Sequence, residues 1–251
     1  MINIDEMKLN YELNEFRENS YLKDLHNEIE ILKLLSWNKN SLKYYGSYDV
    51  SHEKIIVIEK CDENMEQFMK NRGKPLTTKE IKNIFLDFNE ILYILQMKNI
   101  IHRDLKLSNL LIKYNNKEKN EYIVKLADFG ISKFSNGLNS NFSGYKGSID
   151  SAAPEIILQK TKHYDSLIDI FSLGIILYQL SHNLKHPFKR YNYDNLPKIY
   201  NEYYDKDDYK IEFNNSLENF SDFKDLIIKM LKLNPNNRLT WEEYFEHQFF
   251  K

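Results

Sequence analysis

Residues 100–113, Ile-Ile-His-Arg-Asp-Leu-Lys-Leu-Ser-Asn-Leu-Leu-Ile-Lys, constrain this chain more than any other stretch. They set a carboxylate, an amine and an amide between two short apolar runs, Ile100–Ile101 and Leu110–Ile112. Polar groups that close to a core must find partners, or the chain does not fold. The β-prone runs on either side predict a polar loop anchored at both ends by strands, with its side chains held still.

The rest of the chain can supply the surroundings such a loop needs. With 251 residues, 42% hydrophobic and 29% charged, it can bury a sizeable core as one domain or as one domain with two lobes. Its 35 basic and 37 acidic residues give a net charge of −2, so no global field draws it to nucleic acid or to an anionic membrane. Any phosphate site must be local. Cys61 is the only cysteine, which excludes an internal disulfide and a thiolate zinc cage and suits a reducing compartment, cytoplasm or nucleus. The first twenty residues carry Asp5, Glu6, Glu12, Glu15 and Glu18 without an apolar block, so no secretory signal is expected. The longest apolar run, Ile168–Leu180, is interrupted by Asp169 and is too short to span a bilayer.

Ile2 and Ile4 alternate like the end of a strand before polar residues take over. Leu22, Leu25, Ile29, Leu32 and Leu35 recur at helical spacing, with Glu28 beside that stripe. Residues 42–50 and 54–60 alternate like two strands, with His52 in the turn. Thr77 and Glu80 form a capping box ahead of Ile81, Ile84, Phe85, Phe88, Ile91, Leu92 and Leu95, the apolar face of a long helix that leads to the central loop. After the loop, Leu110–Tyr114 and Tyr122–Leu126 predict a hairpin whose return strand delivers Asp128-Phe129-Gly130. Residues 131–150, rich in Ser, Asn and Gly, predict a mobile loop. Helical patterns follow over Ile170–Leu180, Phe223–Leu233 and Trp241–Phe250, with a tyrosine-rich connection from Tyr191 to Tyr209. A small mixed part therefore precedes a larger helical part, joined near Cys61–Met65.

Taken singly, an Asp–Lys pair in a loop is an ordinary surface pair contributing ~0–1 kcal/mol. Its company changes the reading. His102-Arg103-Asp104-Leu105-Lys106 with Asn109, then Asp128-Phe129-Gly130, then Ala153-Pro154-Glu155, in that order, resemble the catalytic core of a eukaryotic protein kinase. Asp169 opening an apolar helix, and Arg238 after Asn234-Pro235, extend the resemblance over residues 20–251. It implies an α+β, bilobal fold: a truncated small lobe of strands and one helix over residues 1–61, and a larger, mainly helical lobe over 62–251, together one kinase domain.

The same resemblance implies the chemistry. Asp104 would accept the proton of the attacking hydroxyl, Lys106 would offset charge on the transferred phosphoryl, and Asn109 and Asp128 would hold magnesium. Lysine two residues after the aspartate resembles the serine/threonine branch. Glu28 matches the helix glutamate. ATP would bond to backbone near Glu59 and Cys61, behind Ile58 as gatekeeper, with Leu111, Lys106, Asn109 and Asp128 completing the nucleotide site. Ser148 matches a hydroxyl that touches the aspartate and the lysine; Glu155 with Arg238 matches a buried ion pair; Asp169 would tie down the backbone at His102 and Arg103. Arg103 would meet a phosphate placed by an upstream activating kinase on Ser143, or on Ser140 or Tyr145.

The departure lies at the front. The family begins with a glycine-rich loop and a strand lysine, and this chain contains no such loop. Either Lys8, 20 residues before Glu28, is that lysine, or Met1–Ile4 is the tail of its strand and the lysine preceded Met1. Two functions stay open: a serine/threonine kinase using ATP and Mg²⁺ on a protein substrate, or a catalytically weak kinase-like scaffold acting through binding. The expected chain is a monomer, with no nucleic-acid or membrane partner.

Overall fold

The computed structural model describes residues 22–51, 53–118, 121–135, 147–160, 165–188, 195–213 and 220–251. Residues 22–35 form helix α1, which buries Leu25, Ile29, Ile31, Leu32 and Leu35. Leu22, expected on that stripe, is 55% exposed, and Ile31 takes the buried place instead. Strands β1 (Tyr44–Val50) and β2 (Glu53–Ile58) pair antiparallel with Tyr44 opposite Ile58. Glu59 and Lys60, expected to continue the strand, leave the ladder. The chain then passes through β3 (Glu63–Asn64) into helix α2 (Met65–Arg72), which the pattern did not announce. A capping box between Asn64 and Gln67 starts α2, and Gly73 at φ 67° ends it in the left-handed cap that glycine alone adopts freely.

Helix α3 (Thr78–Met97) begins where Thr77 and Glu80 close their capping box, and it buries Ile81, Phe85, Phe88, Ile91, Leu92 and Leu95. Glu80 also takes a two-pronged ion pair from Arg72, at 2.7 and 3.0 Å, which joins the end of α2 to the start of α3. Four short strands then frame the central loop. Strand β4 (Ile100–Ile101) enters it, β5 (Leu110–Asn116) leaves it, β6 (Glu121–Leu126) returns, and β7 (Lys133–Phe134) closes back on β4. The register sets Leu110 opposite Leu126 and Ile100 opposite Phe134. Two ladders thus pin the loop and the Asp128-Phe129-Gly130 turn at both ends. Residues 133–134, expected within the mobile loop, belong to β7, whereas 136–146 lie outside the described residues.

The larger part is helical: α4 (Pro154–Ile157), α5 (Leu167–Ser181), α6 (Leu196–Tyr203), α7 (Phe220–Met230) and α8 (Trp241–Phe245). Helix α5 is apolar all round and buried along nearly its whole length, as a central core helix must be. Gly174 lets α7 approach it: a Cβ there would lie 2.9 Å from Leu231 Cδ2 and 3.0 Å from Met230 Cβ. Part of the tyrosine-rich connection forms α6, with Tyr200 fully buried, edge-on to Phe171 and Phe188. The last predicted helix stops at Phe245, and His247 caps a separate turn over Gln248–Phe250 while pairing with Asp225 at 3.0 Å. Among the described residues no helix is long and apolar enough to cross a membrane.

Candidate active site

The central loop is built from its backbone outward. Asp169, in the first turn of α5 and 1% exposed, accepts the N–H of His102 at 2.7 Å and of Arg103 at 2.9 Å. Burial pushes its carboxyl up to about 7, and those two amides with the Arg103 guanidinium act the other way. The expected tie between the core helix and the loop is therefore present in atomic detail. Arg103, at φ 71°, and Asp128, at φ 65°, both occupy left-handed backbone, which costs a non-glycine residue roughly 1–3 kcal/mol. Strain of that size persists only where surrounding bonds over-determine it.

His102 supplies one such set of bonds. Its Nε2 lies 3.1 Å from the carbonyl of Ala127 and its Nδ1 accepts the N–H of Asp104 at 3.3 Å, so the ring is neutral with its proton on Nε2. Burial lowers its pKa to about 4. The Phe129 ring, fully buried, packs on it at 5.2 Å. One imidazole thereby spaces Asp104 from the strand end that carries Asp128. A second link runs through the backbone, where Ala127 N–H donates to the Asn109 carbonyl at 3.0 Å.

Around Asp104 the side chains close into a single cluster. Lys106 Nζ donates to Asp104 Oδ2 at 2.6 Å and to Ser148 Oγ at 2.7 Å. The Ser148 N–H donates to Asp104 Oδ1 at 2.9 Å. Asn109 Nδ2 donates to the Asp104 carbonyl at 2.9 Å and to Oδ2 at 3.2 Å. The expected meeting of Asp104, Lys106, Asn109 and Ser148 is what the fold produces. Ser148 is held from behind by the segment that ends at Glu155, whose carboxylate takes both Nη atoms of Arg238 at 2.7 and 2.9 Å in a fully buried pair.

Asp128 is exposed, and Glu28 reaches the same turn from α1. A Cβ on Gly130 would lie 3.4 Å from Asp128 Oδ1 and 3.5 Å from Glu28 Oε2, so the two carboxylates flank one glycine. Burial first, and then the Asp128 charge, push the Glu28 carboxyl upward. Lys8, the sequence candidate for a cation partner of Glu28, lies outside the described residues, as do Ser140, Ser143 and Tyr145. Among the described residues no cluster of three His, Cys, Asp or Glu could hold a metal alone. The oxygens present are nevertheless of the right kind for Mg²⁺: the Asp128 carboxylate, and the Asn109 amide oxygen, left over when its nitrogen donates to Asp104. Mg²⁺ typically takes one or two protein oxygens and completes its shell with water and phosphate.

Residues 59–62 connect β2 to β3, and Leu111 in β5 pairs with Lys125 in β6. Ile58, the last residue of β2, is 40% exposed. Lys125 is the residue that sequence reasoning missed. It reads as an outward polar position in an alternating strand, yet it is 4% exposed and pairs with Glu59.

A small β-rich part with one helix, set against a larger helical part that carries such a loop, defines the kinase fold. The chain belongs to the protein kinase family, whose domain model matches residues 8–250. It is 33% identical to the probable serine/threonine-protein kinase nek3 of Dictyostelium discoideum over 90% of its length. It is 32% identical to the serine/threonine-protein kinase dst2 and 31% identical to the serine/threonine-protein kinase atg1 of the same organism, over 92% and 90% of its length. The chain spans 19%, 19% and 32% of the lengths of these three relatives. Membership implies use of ATP, typically with Mg²⁺, and a protein substrate.

Proposed function

We propose that this chain is a serine/threonine protein kinase that moves the γ-phosphoryl group of ATP to a protein hydroxyl. The observation that carries the reading is the closed set of bonds around Asp104, whose two carboxylate oxygens are fixed by Ser148, Lys106 and Asn109. A carboxylate oriented before substrate arrives is suited to take a proton from an attacking hydroxyl. That proton passes to Asp104 as the substrate oxygen bonds to phosphorus and the bond to the ADP oxygen breaks. Lys106, already within reach of the Ser148 hydroxyl, offsets negative charge on the transferred group. Mg²⁺ held by Asp128 and the Asn109 amide oxygen would neutralise phosphate charge. The nucleotide base would lie between the backbone of Glu59–Cys61 and the side chain of Leu111, with Ile58 behind it, and Glu28 would orient the cation that meets the phosphates.

Activation by an upstream kinase belongs to the same reading. The Arg103 guanidinium donates to the Ile131 carbonyl at 3.2 Å, where the segment carrying Ser143 begins. A reducing compartment, cytoplasm or nucleus, suits a chain whose one cysteine is free.

Transfer of labelled γ-phosphate to a generic Ser/Thr protein substrate, wild type beside Asp104→Asn, tests the proposal. The expected loss is ~10²–10⁴-fold, the usual contribution of a positioned general base. Equal incorporation by the two folded proteins would refute it.

A further inference from the structure

Lys125 is a buried charge, 4% exposed. Its ammonium donates to the Lys39 carbonyl at 2.6 Å and to the Ser41 carbonyl at 3.0 Å, and it forms an ion pair with Glu59 Oε2 at 3.1 Å. The first two lie in the turn that follows α1. The third lies in the connection that follows β2. Glu59 is tied again through its backbone, its N–H donating to the Lys43 carbonyl at 2.8 Å while its Oε2 accepts the Lys43 N–H at 3.3 Å. Lys125 itself stands opposite Leu111 and three residues before Asp128.

Burying an ion pair recovers little net stability, and a well-packed apolar pair of similar volume is often neutral or better. Stability therefore accounts for the two carbonyl bonds but gives no reason for the pair with Glu59. Nor is the turn satisfied by itself, since Asn40 Oδ1 and Ser41 Oγ are buried without a partner. Its course is imposed by outside ties: Lys125, the Asn40 amide on the Val124 carbonyl at 2.9 Å, and Leu126 N–H on the Asn40 carbonyl at 2.7 Å. What the three partners share is geometry, because one ammonium held by all of them links the Glu59 end of the β2–β3 connection to the strand pair bearing Leu111.

We infer that Lys125 is a positioning residue for the nucleotide: through Glu59 it sets the backbone of Glu59–Cys61 at a fixed height over Leu111. This rests on the kinase reading above, and its test separates the two. A fluorescent ADP analogue is titrated with Mg²⁺ into wild type, Lys125→Met, Glu59→Gln and the double variant Lys125→Met/Glu59→Leu, each at a temperature where circular dichroism shows it folded. The apolar pair removes the orphaned Glu59 charge but not the two freed carbonyls, so it recovers part of the melting temperature lost in Lys125→Met, yet nucleotide affinity in the double variant stays weaker than wild type by roughly tenfold, ~1.4 kcal/mol. Glu59→Gln, which keeps an acceptor but no charge, falls between. A double variant that binds the nucleotide as tightly as wild type overturns the inference and leaves a purely structural pair. Wild type that binds no nucleotide overturns the kinase reading, and this inference with it.

Discussion

Removing Arg238 should bring this fold close to unfolding. Its five N–H groups make five bonds: two to Glu155 at 2.7 and 2.9 Å, and three to the carbonyls of Lys232, Leu167 and Leu233 at 3.0, 3.0 and 3.3 Å. Neither partner reaches water, the side chains being 0% and 3% exposed. Arg238→Ala leaves the Glu155 carboxylate buried and unpaired, and breaking a buried pair in this way costs ~3–5 kcal/mol. Against a typical total of ~5–15 kcal/mol, that is a large fraction of the margin. Urea titration followed by tryptophan fluorescence reads it out, since Trp241 is buried and donates to the Ser166 carbonyl at 3.2 Å beside the site. The double variant Glu155→Met/Arg238→Met, with no orphaned charge, should lose less than the sum of the two single changes. An Arg238→Ala loss below ~1 kcal/mol, or strict additivity of the two changes, would refute the argument from buried charge.

Other perturbations follow from single observations. His102 is neutral in the fold with a pKa of about 4, whereas an unfolded histidine takes its proton near 6.5. Its contribution is therefore whole above pH 6.5 and lost as the pH falls to 4, by up to ~3 kcal/mol. Unfolding free energies of wild type and His102→Gln, measured across that window, should converge as the pH drops; parallel curves would contradict the assignment. Gly174→Ala forces a Cβ against Met230 and Leu231, and overpacking of this kind costs ~1–3 kcal/mol. Because α5 also carries Asp169, thermal unfolding should show the loss first and phosphate transfer should fall with it; an unchanged melting temperature would show that α7 yields without cost.

Much of this arrangement is legible in the chain because several of its parts are local. The Thr77–Glu80 box, the apolar face of α3 and the strands on either side of residues 102–109 are each written within a few residues of one another. The cluster around Asp104 was legible for a different reason: its residue types recur in one order, so the partners could be named although 44 residues separate Asp104 from Ser148. What escaped depends on tertiary contact. Helix α2 is eight residues long, too short for its Met65, Phe68 and Met69 to establish a period. Helix α6 hides in a tyrosine-rich run, where aromatic packing on Phe171 and Phe188 decides the outcome. Lys125 follows the alternation of an ordinary strand, and only the turn after α1, over 80 residues earlier, puts it inside.

The proposed phosphoryl transfer depends on Asp128 and Asn109 serving one metal-bound nucleotide beside Asp104. Calorimetric titration of ATP into wild type with Mg²⁺, into wild type with chelator, and into Asp128→Asn with Mg²⁺ tests that directly. Saturable binding in the first, weakened at least about tenfold in the other two, ~1.4 kcal/mol or more, is the predicted result. The same affinity in all three titrations would contradict it.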